Sequence, residues 1–328
     1  MSSGSPPRRV HVHSGCRLHF GPLSFRPDQG RHFGGLGVML DQPGWELELR
    51  TTDLVDDAAS GPQSERVLNL LQQVRRQFKA ASLLPPLEVI VRQEIPAHCG
   101  LGSGTQLALS VARSVLALAG ETPPLAHLAL QLGRGQRSAI GLYGAETGGL
   151  LVDAGHRTGE ALAELAVQTS LPENWRFLLL RFAATSSPFC GQHEQRAFRE
   201  IRPMTADVSG RLARIVLTEL LPAVRSAHIQ HFQCALEEYG QLVGRFFEPC
   251  QGGIFADAEL SALIERLRLA GARGFAQSSW GPTIALACGS EPEALHWMEI
   301  AREATSRPLS FTVASVRSMP IQVQQDAC

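Results

Sequence analysis

Residues 96–120 read PAHCGLGSGTQLALSVARSVLALAG, a glycine-rich turn that runs into an apolar helix. The turn follows the predicted strand 87–95, and its three glycines allow positive φ values and a close approach of a ligand to the backbone. Apolar residues then recur at helical spacing as far as Gly120, which is predicted to end the helix. Because the first turn of a helix has unpaired N–H groups and partial positive charge, this stretch predicts a phosphate or diphosphate site, with a turn that serves only packing as the alternative. The residues expected at this site are Gly100, Leu101, Gly102, Ser103, Gly104, Thr105 and Gln106.

Outward from this stretch, alternating or β-branched segments predict strands, and apolar spacings of three and four predict helices. The predicted strands are 10–20, 38–40, 45–50, 87–95, 149–153, 175–182, 275–278, 283–287 and 310–316. The other predicted helices are 64–81, 124–132, 194–198, 209–247 with a break near Pro222, 258–270 and 292–306, and residues 133–144 are predicted to form a loop. A change in pattern at residues 165–172 predicts two α+β domains, 1–168 and 169–328.

The composition excludes several classes of function. The chain has 328 residues with 30 basic and 31 acidic side chains, a balance that argues against a nucleic-acid partner. No apolar run reaches roughly 18 residues, so no membrane span is expected. Lys79 is the only lysine and lies in a predicted helix, and no Walker A sequence is present. Pyridoxal-phosphate enzymes and P-loop NTPases are therefore excluded.

Cysteine and histidine usage indicates where the protein works. The seven cysteines are odd in number and form no C-x-x-C pair, which favours free thiols in a reducing compartment over a disulfide framework. The first ten residues have no apolar segment after them, so a secretory signal is not expected. The 11 histidines form only two short pairs without a completing ligand, which argues against structural zinc. We expect a cytoplasmic protein.

The run EIPAHCGLGSGTQLALSVA (94–112) resembles the phosphate-loop motif of the GHMP kinase superfamily. Further blocks are HSGCRLHFGPL (13–23), RHFGGLGVML (31–40), RGQRSAIGLYGAETGGLLVDAG (134–155) and GFAQSSWGPTIALA (274–287). In this order, they resemble the β-ribofuranosylaminobenzene 5′-phosphate synthases, a family of the superfamily that is not a kinase. The resemblance implies a two-domain GHMP-kinase-like α+β fold, with an N-terminal ribosomal-protein-S5-like α/β domain and a C-terminal ferredoxin-like α+β domain.

Two departures separate this sequence from the superfamily's kinases. Many of those kinases have Ser-Gly-Ile-Asp, whose carboxylate is the usual candidate base, whereas this chain has Ser138-Ala139-Ile140-Gly141. Residues 125–137 also contain no Asp or Glu, so the helix that often supplies a magnesium-binding Glu cannot do so here. These departures favour a synthase over an ATP-dependent small-molecule kinase, the alternative function. A ligand-sensing or scaffold protein without turnover is a third possibility.

The resemblance implies a decarboxylating transferase of tetrahydromethanopterin biosynthesis. The family joins phosphoribosyl diphosphate to 4-aminobenzoate and releases CO2 and diphosphate, although a hydroxylated acceptor also fits this sequence. It implies small-molecule substrates, Mg²⁺ as the cofactor and a homodimer as a possible assembly. Mg²⁺ would be bound mainly by phosphate oxygens, and the sequence does not choose among Glu94, Glu146 and Asp153 as protein ligands.

The same blocks supply the other candidate site residues. Arg137 and Ser138 are expected to clamp a phosphate, and Arg17 and His19 alternate on a strand and point to one face, where they could contact the sugar phosphate or the carboxylate. These four are the candidate catalytic residues, and a solvated surface charge is the alternative for Arg137. Further candidates for substrate binding are Arg31 beside His32, the polar turn Gln277, Ser278 and Ser279, Trp280 as a face for the aryl ring, and the segment with Ser187, Gly191 and Glu194.

Overall fold

The computed structural model describes residues 8–26, 30–182, 196 and 200–326. Two sheets organise this part of the chain. The first sheet contains β1 (Arg9–Gly21), β2 (Gly35–Thr51), β3 (Ala58–Ser60), β4 (Leu87–Gln93), β5 (Leu150–Asp153), β6 (Leu165–Thr169) and β11 (Gln322–Gln325). The second sheet contains β7 (Arg176–Phe182), β8 (Phe275–Gln277), β9 (Ile284–Cys288) and β10 (Leu309–Ser315).

The helices also fall into two groups. Those before β7 are α1 (Ser64–Gln77), α2 (Lys79–Ser82), α3 (Ser103–Leu118), α4 (Leu125–Gln131) and α5 (Ile140–Thr147). Those after β7 are α6 (Ala206–Ile215), α7 (Leu221–Arg225), α8 (Ile229–Gln251), α9 (Ala258–Leu269) and α10 (Glu291–Glu303), and a π-helical segment (Val216–Leu220) joins α6 to α7. None of the helices in the described ranges is both long and apolar enough to cross a bilayer.

The long antiparallel pair β1 and β2 is the centre of the first sheet. Sequence analysis predicted two short strands at 38–40 and 45–50, but β2 is a single bent strand. Its first part pairs with β5 and its last part with β4, while β1 pairs with both parts. The polar segment 41–44 suggested a break, and pairing to β1 on both sides of it keeps the strand continuous. Trp45 is fully buried beneath this sheet and donates its indole N–H to the carbonyl of Ser103 at the start of α3 (3.1 Å).

The prediction of a loop at 133–144 was wrong for its last part, because α5 begins at Ile140. Its glycines suggested irregular backbone, but they allow the helix to lie flush on the sheet. A Cβ atom on Gly144 would approach the Met39 side chain of β2 to 2.3 Å. The short strands β3, β6 and β11 were also missed.

The second sheet packs helices on its faces, and its strands lie in the order β10-β7-β9-β8. α9 and α10 cover one face and form a separate apolar core with β7, β8 and β9. The break predicted near Pro222 lies at residues 226–228. Pro222 instead lies at the second position of α7, directly after the π-helical segment and inside a continuous helical run.

The two halves meet beside the glycine-rich turn. The chain passes from the first sheet to the second between Thr169 and Arg176, and β11 returns to pair with β1, so the last strand belongs to the first sheet. The division at residues 168 and 169 stays a prediction. The turn after β8 packs on the glycine-rich turn, where Ser278 Oγ donates to the Gly100 carbonyl (2.8 Å). Thr283 Oγ1 likewise donates to the Cys99 carbonyl (2.7 Å).

We predict that Gly100→Ala destabilises the protein more than Gly120→Ala. Both glycines have a φ near +80°, so each alanine incurs the left-handed cost of about 1–2 kcal/mol. A Cβ atom on Gly100 would also lie 2.7 Å from the Ser278 carbonyl oxygen and 2.9 Å from that of Gly281, whereas nothing lies within 4 Å of one on Gly120. Overpacking adds about 1–3 kcal/mol at Gly100. Urea unfolding of both variants measures the difference, and equal losses would contradict this packing.

Candidate active site

A cavity of about 280 Å³ lies between the two halves, beside β1. Arg17, His19 and Gly21 occupy alternate positions of β1 and all line it, as the predicted alternation of Arg17 and His19 requires. Thr105 of α3 and Ser279 of the turn after β8 complete adjoining parts of the wall. Both halves of the chain therefore build the cavity.

The start of α3 adjoins one end of this cavity. Gly102 is the N-cap residue, no side chain caps the helix, and its first turn has no acidic residue. The amides of Thr105 and Gln106 are directed to the Gly102 carbonyl (both 3.2 Å). Within the described ranges, no acceptor is bonded to the amides of Ser103 and Gly104. The helix thus presents open donors and partial positive charge at the turn.

Three arginine side chains converge on the same helix start. A Cβ atom placed on Gly102 would lie 3.2 Å from Nε of Arg17. One placed on Gly104 would lie 2.9 Å from Nη2 of Arg66 and 3.5 Å from Nη1 of Arg134. Sequence analysis selected Arg17 and missed the other two. Arg134 lies in the quoted block 134–155, close to the selected Arg137, and could have been chosen with it. Arg66 lies in the predicted helix 64–81, where its sequence context indicates only a helix surface.

Arg66 and Arg134 form a cationic pair at the start of α3. Arg66 donates to Gln63 Oε1 (2.7 Å) and, over a longer distance, to Ser103 Oγ (3.4 Å). Burial and the Arg134 charge lower the pKa of Arg66, an effect that the Glu94 charge partly opposes, and burial lowers the pKa of Arg134. Among the residues described, neither guanidinium has a carboxylate within ion-pair distance. Half-buried guanidinium groups without a counter-ion are suited to hold an anionic ligand with paired N–H donors.

Asp153 holds the second candidate phosphate loop in place. Its carboxylate accepts hydrogen bonds from Ser138 Oγ (3.0 Å) and from the amides of Ala139 (3.0 Å) and Gly155 (3.1 Å). The side chain is fully buried, and burial raises its pKa to about 6, a rise that the Ser138 hydrogen bond only partly opposes. Ser138 and the exposed Arg137 both line the cavity. Asp153 is therefore a positioning residue for Ser138.

His19 is buried and neutral in the middle of the β1 wall. Its amide donates to Ser278 Oγ (3.1 Å), and its carbonyl accepts from the Ser279 amide (2.6 Å). Burial, with a smaller contribution from the Arg17 charge, lowers the pKa of the imidazole well below its usual value. No described residue bonds to its Nε2 atom. The imidazole is thus fixed through its backbone and uncharged at neutral pH.

Several predicted site residues have structural surroundings instead. Leu101 and Gln106 lie in the core, and Gln106 Nε2 donates to the Gly141 carbonyl (2.7 Å). Arg31 donates to the Gly155 carbonyl (2.8 Å) and pairs with Glu160 (3.0 Å), outside the cavity wall. Their side chains connect elements of the fold and do not face the cavity.

Most residues of the polar turn at the end of β8 likewise contact other parts of the protein and do not face the cavity. Gln277 accepts from the Ala256 amide (2.8 Å) and donates to the Ser279 carbonyl (3.1 Å), and Ser278 is fully buried. Trp280 was predicted to offer its face to the aryl ring, but it does not line the cavity and packs on Phe247, with ring centroids 4.2 Å apart. Phe247, rather than Trp280, is the aromatic residue of this region that lines the cavity.

Phe33 is the second aromatic residue of the cavity wall, and sequence analysis missed it together with Phe247. The sequence around Phe247 indicates only a buried position of the predicted helix 209–247. Phe33 follows the selected residues Arg31 and His32 but was not selected itself. Ser187, Gly191 and Glu194 lie outside the described residues.

The described residues offer no ready set of metal ligands. No group of three or more His, Cys, Asp or Glu side chains lies together in the ranges that the structure covers. Of the three carboxylates near the motifs, Glu94 is bonded by Gln63, Glu146 is exposed on α5, and Asp153 is fully buried and accepts three hydrogen bonds. We therefore assign no protein ligand to Mg²⁺.

Comparison with known proteins agrees with the resemblance in sequence. Residues 65–148 match the GHMP kinases N terminal domain. The chain is 29% identical over 290 residues to β-ribofuranosylphenol 5′-phosphate synthase of Methanothermobacter thermautotrophicus, covering 83% of this chain and 87% of that protein. It is 27% identical over 263 residues to the Archaeoglobus fulgidus protein of the same name, covering 73% and 82%. The resemblance to the synthases of the GHMP kinase superfamily is confirmed.

A solved structure supports the fold. Mevalonate pyrophosphate decarboxylase from Streptococcus pyogenes superimposes with a TM-score of 0.68 at 11% identity, covering 97% of this chain and 99% of that one. At this identity the likeness concerns the fold alone. It confirms the predicted two-domain α+β fold of the GHMP kinase type.

We predict a pH-dependent stability difference between Asp153→Asn and the wild type. The folded-state pKa of Asp153 is above its ordinary value of 3.8, so its stabilising proton is fully bound below about pH 4 and is lost as the pH rises through about 6. The wild type should lose about 3 kcal/mol relative to the variant between pH 4 and 7. Urea unfolding at both pH values measures this, with Asp207→Asn on exposed α6 as the control. A pH-independent difference would contradict the buried titration.

Proposed function

We propose that this protein, which has the GHMP kinase fold, joins phosphoribosyl diphosphate to a para-substituted benzoate with release of CO2 and diphosphate. The observation that carries the proposal is the charge of the site. Arg17 and Arg134 line the cavity, and Arg66 lies beside it in an adjoining pocket that Glu65 also lines. None of the described residues that line the cavity itself is Asp or Glu. Such a site stabilises an anionic leaving group but offers no carboxylate to remove a proton.

The reaction needs no such base. The bond between the anomeric carbon and diphosphate breaks, and its electron pair leaves with the diphosphate. The ring carbon that bears the carboxylate attacks the anomeric carbon and forms the new carbon–carbon bond. The bond to the carboxylate then breaks, CO2 leaves, and the electron pair restores the aromatic ring. No ring proton is removed, so stabilisation of the leaving group and alignment are the main requirements.

Two sets of residues in and beside the cavity are proposed to bind the two phosphorylated ends of phosphoribosyl diphosphate, its diphosphate and its 5′-phosphate. The amides at the start of α3, with Arg17, Arg66 and Arg134, are proposed to bind the diphosphate. Arg137 and Ser138, held by Asp153 on another part of the wall, are proposed to bind the 5′-phosphate. Guanidinium groups suit both tasks because they donate paired hydrogen bonds to phosphate oxygens.

The benzoate is proposed to be 4-aminobenzoate or 4-hydroxybenzoate. Both carry an electron-donating group para to the attacked carbon, and the relatives are named for a phenol product. The two acceptors differ only in that para group, so a direct comparison of their kcat/KM values decides between them.

Mg²⁺ is proposed as the cofactor, bound mainly through the donor's phosphate oxygens. When bound, it would neutralise part of the diphosphate charge. Because we assign it no protein ligand, the arginine side chains are the protein's own contribution to that neutralisation.

A cytoplasmic location and a homodimer complete the proposal. The five described cysteines are free thiols, as expected in a reducing compartment. The homodimer rests on the superfamily resemblance alone, and size-exclusion chromatography with light scattering tests it.

Incubation with Mg²⁺, phosphoribosyl diphosphate and 4-aminobenzoate or 4-hydroxybenzoate tests the reaction. We expect CO2 and diphosphate in equal amounts with a ribosylated aryl phosphate, detected by mass spectrometry. ATP consumption with homoserine or a sugar alcohol, without CO2, would indicate a GHMP kinase instead. Binding of the donor with no product after prolonged incubation would indicate a ligand sensor.

We predict that Arg134→Gln lowers kcat/KM for phosphoribosyl diphosphate by about 10- to 100-fold, because a hydrogen bond to a charged group contributes about 1.5–3 kcal/mol. Arg76→Gln is the matched control, since Arg76 is exposed on α1 away from the cavity. Thermal unfolding checks that both variants are folded. Equal kinetics for the two variants would remove Arg134 from the diphosphate site.

A further inference from the structure

We propose that the aryl acceptor binds at the end of the cavity remote from the glycine-rich turn, with its ring between Phe33 and Phe247. This inference rests on the proposed function and adds the orientation of the two substrates. It also names the residues that select a planar aromatic acid.

β1 sets the direction of the site. Arg17, His19 and Gly21 all line the cavity, and β1 carries the chain away from Arg17 by about 3.3 Å per residue until the register irregularity between His19 and Gly21. Arg17 lies against Gly102 and marks the phosphate end. Gly21 lies at the other end, and its carbonyl accepts from the hydroxyl of Tyr239 on α8 (2.9 Å).

α8 brings an aromatic ring to that second end. A Cβ atom on Gly21 would lie 2.3 Å from Val243 Cγ1, so strand and helix are in direct contact there. Phe247 follows Val243 by four residues and therefore lies on the same face of α8, one turn further along. The ring centroids of Phe246 and Trp280 lie 4.9 Å and 4.2 Å from that of Phe247, which fixes its position in the wall.

Phe33 reaches the same end from the loop before β2. Its φ of +65° is rare for a bulky residue and is maintained by specific contacts. Its carbonyl accepts from the Ser24 amide (2.9 Å), and its ring centroid lies 5.8 Å from that of Phe25 and 3.9 Å from that of His32. The backbone is thus held in an unfavourable conformation that places an aromatic side chain in the cavity wall.

The two ends differ in chemistry as the two substrates do. Cationic side chains and open amides surround Gly102 and Gly104, whereas Pro22, Phe33 and Phe247 line the wall near Gly21. An aromatic ring gains favourable contacts with aromatic side chains, and a diphosphate requires the charged end. The reacting carbons would then meet near His19, midway along β1.

Phe247→Leu and Phe33→Leu test the inference, because leucine keeps apolar bulk and removes the ring. An aromatic pair contributes about 0.5–1.5 kcal/mol, so each variant should raise the KM for the benzoate by about 2- to 10-fold and change the KM for phosphoribosyl diphosphate by less than about 2-fold. Phe311→Leu on β10 is the matched control, remote from the cavity. Thermal unfolding and the independent use of two positions guard against a single misfolded variant.

Titration calorimetry with 4-aminobenzoate and 4-hydroxybenzoate separates this inference from the proposed function. If no product forms but the wild type binds a benzoate and either leucine variant weakens that binding, the reaction is wrong and the aryl site stands. If product forms and the leucine variants raise only the KM for phosphoribosyl diphosphate, or neither KM, the reaction stands and the aryl site is wrong. Absence of both product and benzoate binding would overturn both.

Discussion

The packing of the glycine-rich turn against the second half of the chain is the constraint on which the site depends. Ser278 Oγ donates to the Gly100 carbonyl and accepts from the His19 amide. One hydroxyl thus connects the turn, β1 and the second sheet. This arrangement positions the start of α3 beside Arg17 and closes the cavity with residues from both halves. Anion binding and the cavity's shape therefore follow from one backbone arrangement.

Charge then distinguishes the ends of the cavity. Half-buried Arg66 and Arg134 lack a protein counter-ion among the residues described, so an anionic ligand would relieve their mutual repulsion. Asp153 lies behind the wall and is committed to three hydrogen bonds. The site thus carries positive charge without an available carboxylate, a combination suited to departure of diphosphate and poorly suited to activation of a hydroxyl group.

The sequence predicted those features that depend on local pattern. The glycine-rich turn, α3, most strands and the shared face of Arg17 and His19 follow from spacing along the chain. The continuity of β2 and the return of β11 to β1 depend on pairing with remote strands, which no local pattern reports. The role of an individual side chain also depends on residues that are remote in sequence. Trp280, for example, packs on Phe247 of α8, a contact that its local sequence does not report.

The most direct measurement is a crystal structure with phosphoribosyl diphosphate bound. We expect density for the diphosphate over Ser103 and Gly104, within hydrogen-bond distance of Arg66 and Arg134, and the anomeric carbon near His19. Density for the diphosphate elsewhere, with the start of α3 and both arginines making no contact with it, would contradict the central claim that this helix start binds the leaving group.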